Sequence, residues 1–208
     1  MPSGELVDSA PRLTRKGQAT RERILAASAR LMFEHGVAGT STEDVQAAAG
    51  VSTSQIYHYF GDKRMLVRAV IAYQTEAVLG VQQPLLSRLD SLDALGAWRD
   101  FVVELQRKHG CAGGCPIGSL GSELADSDPE ARAEVAAGFA RWEQAIRDGL
   151  RAMHSRGELR AEVDPDVLAL ATLAALQGGL LLTQIRRDTR ALEAALDTVI
   201  DHIGSLTS

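Results

Sequence analysis

Residues 109–120 read HGCAGGCPIGSL, which sets two thiols four positions apart across a pair of glycines. Gly113 and Gly114 let the backbone fold back on itself, so Cys111 and Cys115 come within reach of one another. Pro116 reads as the first residue of a helix with Cys115 at its cap. A thiol there feels the positive end of the helix, so its pKa is expected to fall and its thiolate population to rise. Three readings stay open for this loop: structural packing, a reactive sensor pair, or a soft-metal site with His109 that lacks the fourth ligand of closed zinc. A second polar set lies in residues 40–63, TSTEDVQAAAGVSTSQIYHYFGDK. It comprises Ser41, Thr42, Ser52, Thr53, Ser54, Gln55, Tyr57, His58, Tyr59 and Lys63. Hydroxyls, amides and a lysine grouped this way read base edges or hold the phosphates of double-stranded DNA. Catalytic patterns are missing: there is no nucleophile elbow, no phosphate-cradling glycine loop and no HExxH, and His35, His58, His109, His154 and His202 are scattered. A helical enzyme and a protein-binding adaptor are the alternatives to a DNA binder.

The groove-reading groups need short helices to hold them. Thr40 with Glu43 fits a capping box, with Ser41 as the other candidate cap, for a helix over about 41–48. Gly50 permits a tight turn, and Val51 enters a small core with Val45 and Ile56. Ser52 and Gln55 form a second capping box, so a helix over about 53–60 starts abruptly. Its first turn presents Thr53, Ser54 and Gln55, the end that enters a major groove in a helix-turn-helix.

The segment closes on Tyr57-His58-Tyr59-Phe60, then Gly61, Asp62 and Lys63. Together with Ala49-Gly50-Val51-Ser52, this resembles the DNA-binding head of the tetracycline-repressor (TetR) family over about residues 20–70. The resemblance implies that Tyr57 and Lys63 hold phosphates, that Thr53 and His58 face the groove, and that Phe60 packs the head onto the fourth helix. It also implies a repressor that binds an approximately palindromic operator as a homodimer. Two positions depart from the family pattern. Tyr59 stands where many relatives have His, and Gln46 stands where a small Ala usually lets the two helices approach, which implies a slightly wider crossing.

Helical periodicity dominates the rest of the chain, and aromatic residues make up only 4%. The expected fold is all-α with about nine helices, near 20–35, 41–48, 53–60, 62 to Pro84, 90–109, 116–125, 129–156, 165–187 and 189–206. Asp128-Pro129 and Asp164-Pro165 mark the starts of two of them. The expected organisation is a loose arm over 1–18, a helix-turn-helix head over 19–65, and a ligand-binding and dimerisation domain over 66–208. Residues 165–187 are apolar nearly all round, and Leu192, Leu196, Val199, Ile203 and Leu206 form a narrow seam. These two helices are expected to build a four-helix bundle with those of a second copy, Gly178 and Gly179 permitting close approach. The middle helices then enclose a chamber for a small-molecule or electrophile effector. Trp98, Phe101, Phe139 and Trp142 are the large side chains available for its wall, beside Cys111 and Cys115.

Composition fits this reading. With 45% hydrophobic and 24% charged residues the chain is an ordinary globular one. A net charge of −5 excludes a uniformly basic surface, so a DNA binder must concentrate its cations. Residues 1–70 carry nine Lys or Arg against seven Asp or Glu, and residues 71–208 carry thirteen against twenty. Arg12, Arg15, Lys16, Arg21 and Arg23 are placed to add phosphate attraction. No cofactor motif is present. No apolar block of signal length opens the chain, and no uninterrupted apolar run looks long enough for a bilayer. A cytoplasmic protein with reduced thiols and no membrane partner is expected.

Overall fold

Nine α-helices make up the fold over residues 13–208, the part of the chain that the computed structural model describes. They are α1 (Arg15–His35), α2 (Thr42–Ala49), α3 (Thr53–Phe60), α4 (Lys63–Leu86), α5 (Leu92–Lys108), α6 (Pro116–Leu124), α7 (Pro129–Ser155), α8 (Pro165–Arg186) and α9 (Arg190–Ser205). The first helix begins five residues earlier than expected because Thr14 caps it, its hydroxyl accepting the Gly17 N–H at 3.2 Å. Residues 1–12 of the expected arm, with Arg12, lie outside the described residues. Ile24, Leu25, Ala27, Ser28 and Met32 bury one face of α1 against α2 and α4.

Ser41, rather than Thr40, caps α2. The Thr40 hydroxyl turns back to the Gly36 carbonyl at 2.8 Å, so the capping box forms one residue later, between Ser41 and Asp44. Gly50 then takes the left-handed turn, and the Ser52–Gln55 box starts α3 as expected. The fourth helix overruns Pro84 and ends at Leu86. Near a helix end proline forfeits a single backbone bond, and burial of Leu86 and Leu89 holds the chain in its helical course.

Beyond α4 the helices stack as a body in which α7 and α8 lie side by side and α9 packs on α8 and α5. The close α8–α9 approach depends on Gly179, where a Cβ would meet the Leu192 Cα at 2.8 Å. The α9 seam faces inward. Leu192, Leu196 and Ile203 are fully buried within the subunit, which corrects the expectation that this seam seeks a partner. The unpartnered apolar face belongs to α8, where Val167, Leu170, Leu181, Leu182 and Ile185 are exposed opposite buried Leu168, Leu173, Leu176 and Leu180. By length and composition alone α8 is apolar enough to cross a membrane, although Thr172, Gln177 and Thr183 interrupt its apolar run. Its apolar character comes from two sides, one packed in the subunit and one open.

Candidate nucleic-acid interface and effector chamber

The first turn of α3 is a small hydrogen-bonded cluster. Ser52 Oγ lies 2.9 Å from Ser54 Oγ, and Gln55 Oε1 accepts the Ser52 N–H at 2.9 Å. Thr53 Oγ1 donates to Gln46 Oε1, so Gln46 bridges α2 to α3 rather than merely spacing them. That bond commits the Thr53 proton and leaves its oxygen as acceptor alone. Ser54, Gln55, Tyr57 and His58 are exposed, while Thr42, Thr53, Tyr59 and Lys63 are partly covered. Tyr59 leans on α1, its hydroxyl 3.5 Å from where a Cβ on Gly17 would stand. Arg21 lies over the buried Phe60 ring at 5.2 Å, a cation–π contact that fixes α1 to α3.

The head sorts its cations by partner. Arg30, Arg64 and Arg68 are paired with carboxylates, whereas Arg15, Lys16, Arg23 and Lys63 have no carboxylate within 4.0 Å among the described residues. Lys63 opens α4 two residues past the end of α3, and the Gly17–Tyr59 approach brings the start of α1 beside the end of α3. Unpaired cations thus flank the exposed polar face of α3, an arrangement suited to a phosphate backbone.

Arg64 and Arg68 sit where head meets body. Arg64 grips Asp128 with two bonds, of 2.9 and 3.1 Å, and Arg68 reaches Glu130 and Glu134. Asp128 also caps α7, accepting the Glu130 and Ala131 N–H groups. The Arg64 guanidinium, aided by those amides, holds its carboxyl at about 2. A second tie runs from α6, where the Glu123 carboxylate accepts the backbone N–H groups of Val37 and Ala38, both at 2.8 Å, in the loop between α1 and α2.

A cavity of about 650 Å³ opens between α1, α4, α5, α8 and the 109–116 loop. Phe33 and Glu34 of α1 help line it, so the first helix of the DNA-binding unit forms part of its wall. The loop packs so tightly on Phe33 that a Cβ at Gly113 would lie 2.2 Å from the ring. A second cavity of the same size lies between α6, α7 and α8. Of the wall residues expected from sequence, Trp142 and Cys115 line the first cavity, and Cys115 and Phe139 line the second. Trp98, Phe101 and Cys111 line neither. Trp98 is 0% exposed and sits one layer back, donating its indole N–H to Gln82 Oε1 at 2.9 Å.

Cys115 caps α6 as expected, with the Gly118 N–H 3.4 Å from its sulfur. The expected fall in its pKa is reversed. Burial pushes the thiol up and outweighs the amide donors of the helix start. Both cysteines are free and buried, and Cys111 occupies the left-handed region at φ 55°. Among the described residues no three His, Cys, Asp or Glu side chains gather as a metal site.

Residues 24–70 match the family described as bacterial regulatory proteins of the tetR family, and residues 91–199 match the tetracyclin repressor-like C-terminal domain. The chain belongs to the TetR family. It is 30% identical to an uncharacterized helix-turn-helix transcriptional regulator of Lactococcus lactis, over 86% of this chain and 90% of that one. It is 24% identical to the transcriptional repressor DhaR of a Mycobacterium species, over 87% and 90%. The solved TetR regulator of Chloroflexus aurantiacus superposes with a TM-score of 0.81 at 33% identity, covering 93% of this chain and 98% of that one. The chain is therefore a DNA-binding transcriptional regulator, and the enzyme and adaptor readings have no support among its relatives.

Glu123, which ties α6 to the α1–α2 loop, and Arg187 and Gln106, which line the first cavity, are candidate residues that sequence reasoning missed. Each acquires its role from a partner far along the chain: Val37 for Glu123, the Cys111 carbonyl for Arg187, the cavity wall for Gln106. No local pattern marks them.

Proposed function

We propose that this protein is a cytoplasmic repressor whose effector-free homodimer holds a palindromic operator and lets go when a small molecule fills the chamber. The observation that carries this reading is the polar face of α3, with Ser54, Gln55, Tyr57 and His58 exposed, and with Lys63, Arg15 and Lys16 near its end, none of which has a carboxylate within 4.0 Å among the described residues. The apolar face of α8, flanked by α9, supplies the dimer contact, and Gly178 opens on that side with nothing within 4 Å of its Cβ position. A dimer sets two α3 helices into successive major-groove faces. The route from chamber to head is short. α6 is capped by Cys115 in the chamber wall and carries Glu123, in its last turn, onto the α1–α2 loop, so displacing α6 turns the head.

An electrophile is the second reading, favoured by the place of Cys115 in the walls of both cavities. The protonated, buried thiol makes that reaction slow, so a reversible ligand comes first. The deciding experiment selects genomic fragments with the purified full chain and measures affinity for the selected DNA against salt. A steep negative dependence and a two-fold symmetric site are expected. Binding indifferent to sequence would overturn the proposal.

A further inference from the structure

The wall of the first cavity carries polar atoms that its surroundings leave unanswered. Gln106 is 7% exposed and Trp142 is 2% exposed, both line the cavity, and among the described residues neither Gln106 Oε1 nor Trp142 Nε1 has a hydrogen-bond partner. A buried polar group left unpaired costs about 1–3 kcal/mol, so native proteins keep few of them without a use. Gln82 in the same wall shows the contrast. Both its polar atoms are engaged, the amide N–H donating to the Val78 carbonyl and the oxygen accepting from Trp98.

The mouth of the cavity carries a cation without a counter-charge. Arg187 follows α8 in the left-handed region at φ 57°, reaches only the Cys111 carbonyl at 3.4 Å, and has no carboxylate within 4.0 Å among the described residues. Cys111, at φ 55°, is the other non-glycine residue in that strained region among the described residues. Arg187 thus stands in the cavity lining against the loop that carries Cys111, while Cys111 itself lies outside that lining. The one carboxylate of the lining, Glu34, is already engaged by Arg30 at 3.3 Å. The wall between these polar ends is apolar, formed by Val78, Val102, Leu105 and Leu180.

We infer that the chamber takes a small organic acid. Its carboxylate binds Arg187, its apolar body lies along Val78, Val102, Leu105 and Leu180, and a hydroxyl at the far end donates to Gln106 Oε1, with the Trp142 indole N–H as a further donor in the wall. A monoanion suits the site better than a phosphate, because Arg187 is the one lysine or arginine in the lining. The volume of about 650 Å³ falls within the roughly 300–1,000 Å³ of small-molecule sites. This inference rests on the chamber being the effector site.

The test uses the full chain and a series of ω-hydroxy monocarboxylic acids of four to eight carbons, their plain unhydroxylated counterparts, the matching primary amides, and inorganic phosphate. Melting temperature is read at rising concentration. One or more acids should raise it while the amides and phosphate do not, and Arg187→Gln should weaken that response about tenfold, its own ligand-free melting temperature being the folding control. Gln106→Leu should erase the preference for the hydroxylated acid over its plain counterpart. No shift from any acid, equal shifts from the amides, or an unchanged response in Arg187→Gln would overturn the inference. Operator binding on the same samples keeps the two readings apart. Normal operator binding with no acid response defeats the ligand class alone, and acid binding without operator release upholds the ligand class while defeating the effector role of the chamber.

Discussion

The carboxylate of Glu123 accepts the backbone N–H of Val37 at 2.8 Å, so the end of α6 holds the loop that joins the first two helices of the DNA-binding head. Its second oxygen takes the neighbouring Ala38 N–H at the same distance. Both bonds are charge-assisted, yet the side chain is exposed, so the pair contributes about 1 kcal/mol. In Glu123→Ala, hydrogen exchange at Val37 and Ala38 should accelerate together, and operator affinity should fall with the looser head. Glu123→Gln keeps one oxygen, so one of the two amides should stay protected. Unchanged exchange in both variants would show that the clasp does not form in solution.

Lys63 and Thr53 should fail differently. Lys63→Ala removes one phosphate contact per subunit, so the slope of log affinity against log salt should become shallower by about two for the dimer, with sequence preference retained. Thr53→Ala breaks the bridge to Gln46 and frees the two helices, so it should blur the sequence preference while leaving the salt slope intact. Binding titrations at several salt concentrations on matched and mismatched operators separate the two.

Two leucines on adjacent helices should give opposite phenotypes. Leu181 is 56% exposed on the outer face of α8, so Leu181→Arg should yield a folded monomer that has lost operator binding. Leu196 is 0% exposed in α9, so Leu196→Arg buries an unpaired cation and should cost more than about 4 kcal/mol, unfolding the subunit itself. Sedimentation and circular dichroism distinguish them, and a dimeric Leu181→Arg would move the interface off α8.

Acid should loosen the seam between head and body. The Asp128 carboxyl is held at about 2 in the folded chain, below its ordinary 3.8. A depressed carboxylate contributes its stabilisation fully above the unfolded pKa and loses it as pH falls toward the folded one, here between about 4 and about 2. The melting temperature of the wild type should therefore drop more steeply across that window than that of Asp128→Asn, which keeps a capping side chain without the charge. Parallel curves would remove Arg64–Asp128 from the forces holding the seam.

What the sequence made legible was local. The Ser52–Gln55 box, the turn at Gly50 and the Asp-Pro starts of α7 and α8 are settled within four residues, and each stands where it was expected. The cap of α2 slipped by one residue because Thr40 found a carbonyl behind it, a choice that composition does not reveal. Cys115 shows the larger failure. Its position at a helix start is a local fact, but its acidity is decided by burial beneath neighbouring helices, and burial wins. The α9 seam likewise has the period of a partner-seeking helix, and only the packing of α8 and α5 against it shows that the partner is within the subunit.

α6 is nine residues long, and its two ends have separate tasks, with Cys115 in the chamber wall and Glu123 on the head. Eight residues of helix set them about 12 Å apart at a fixed rotation. One inserted residue would turn Glu123 by about 100° around the helix axis and carry its carboxylate off the Val37 and Ala38 amides, while the cap at Cys115 stayed in place. Insertions of three or four residues would restore the angle but push the carboxylate about 5 Å too far along the axis. The length of this helix is thus as fixed a property as any side chain on it, and natural variants that keep the clasp must keep the spacing.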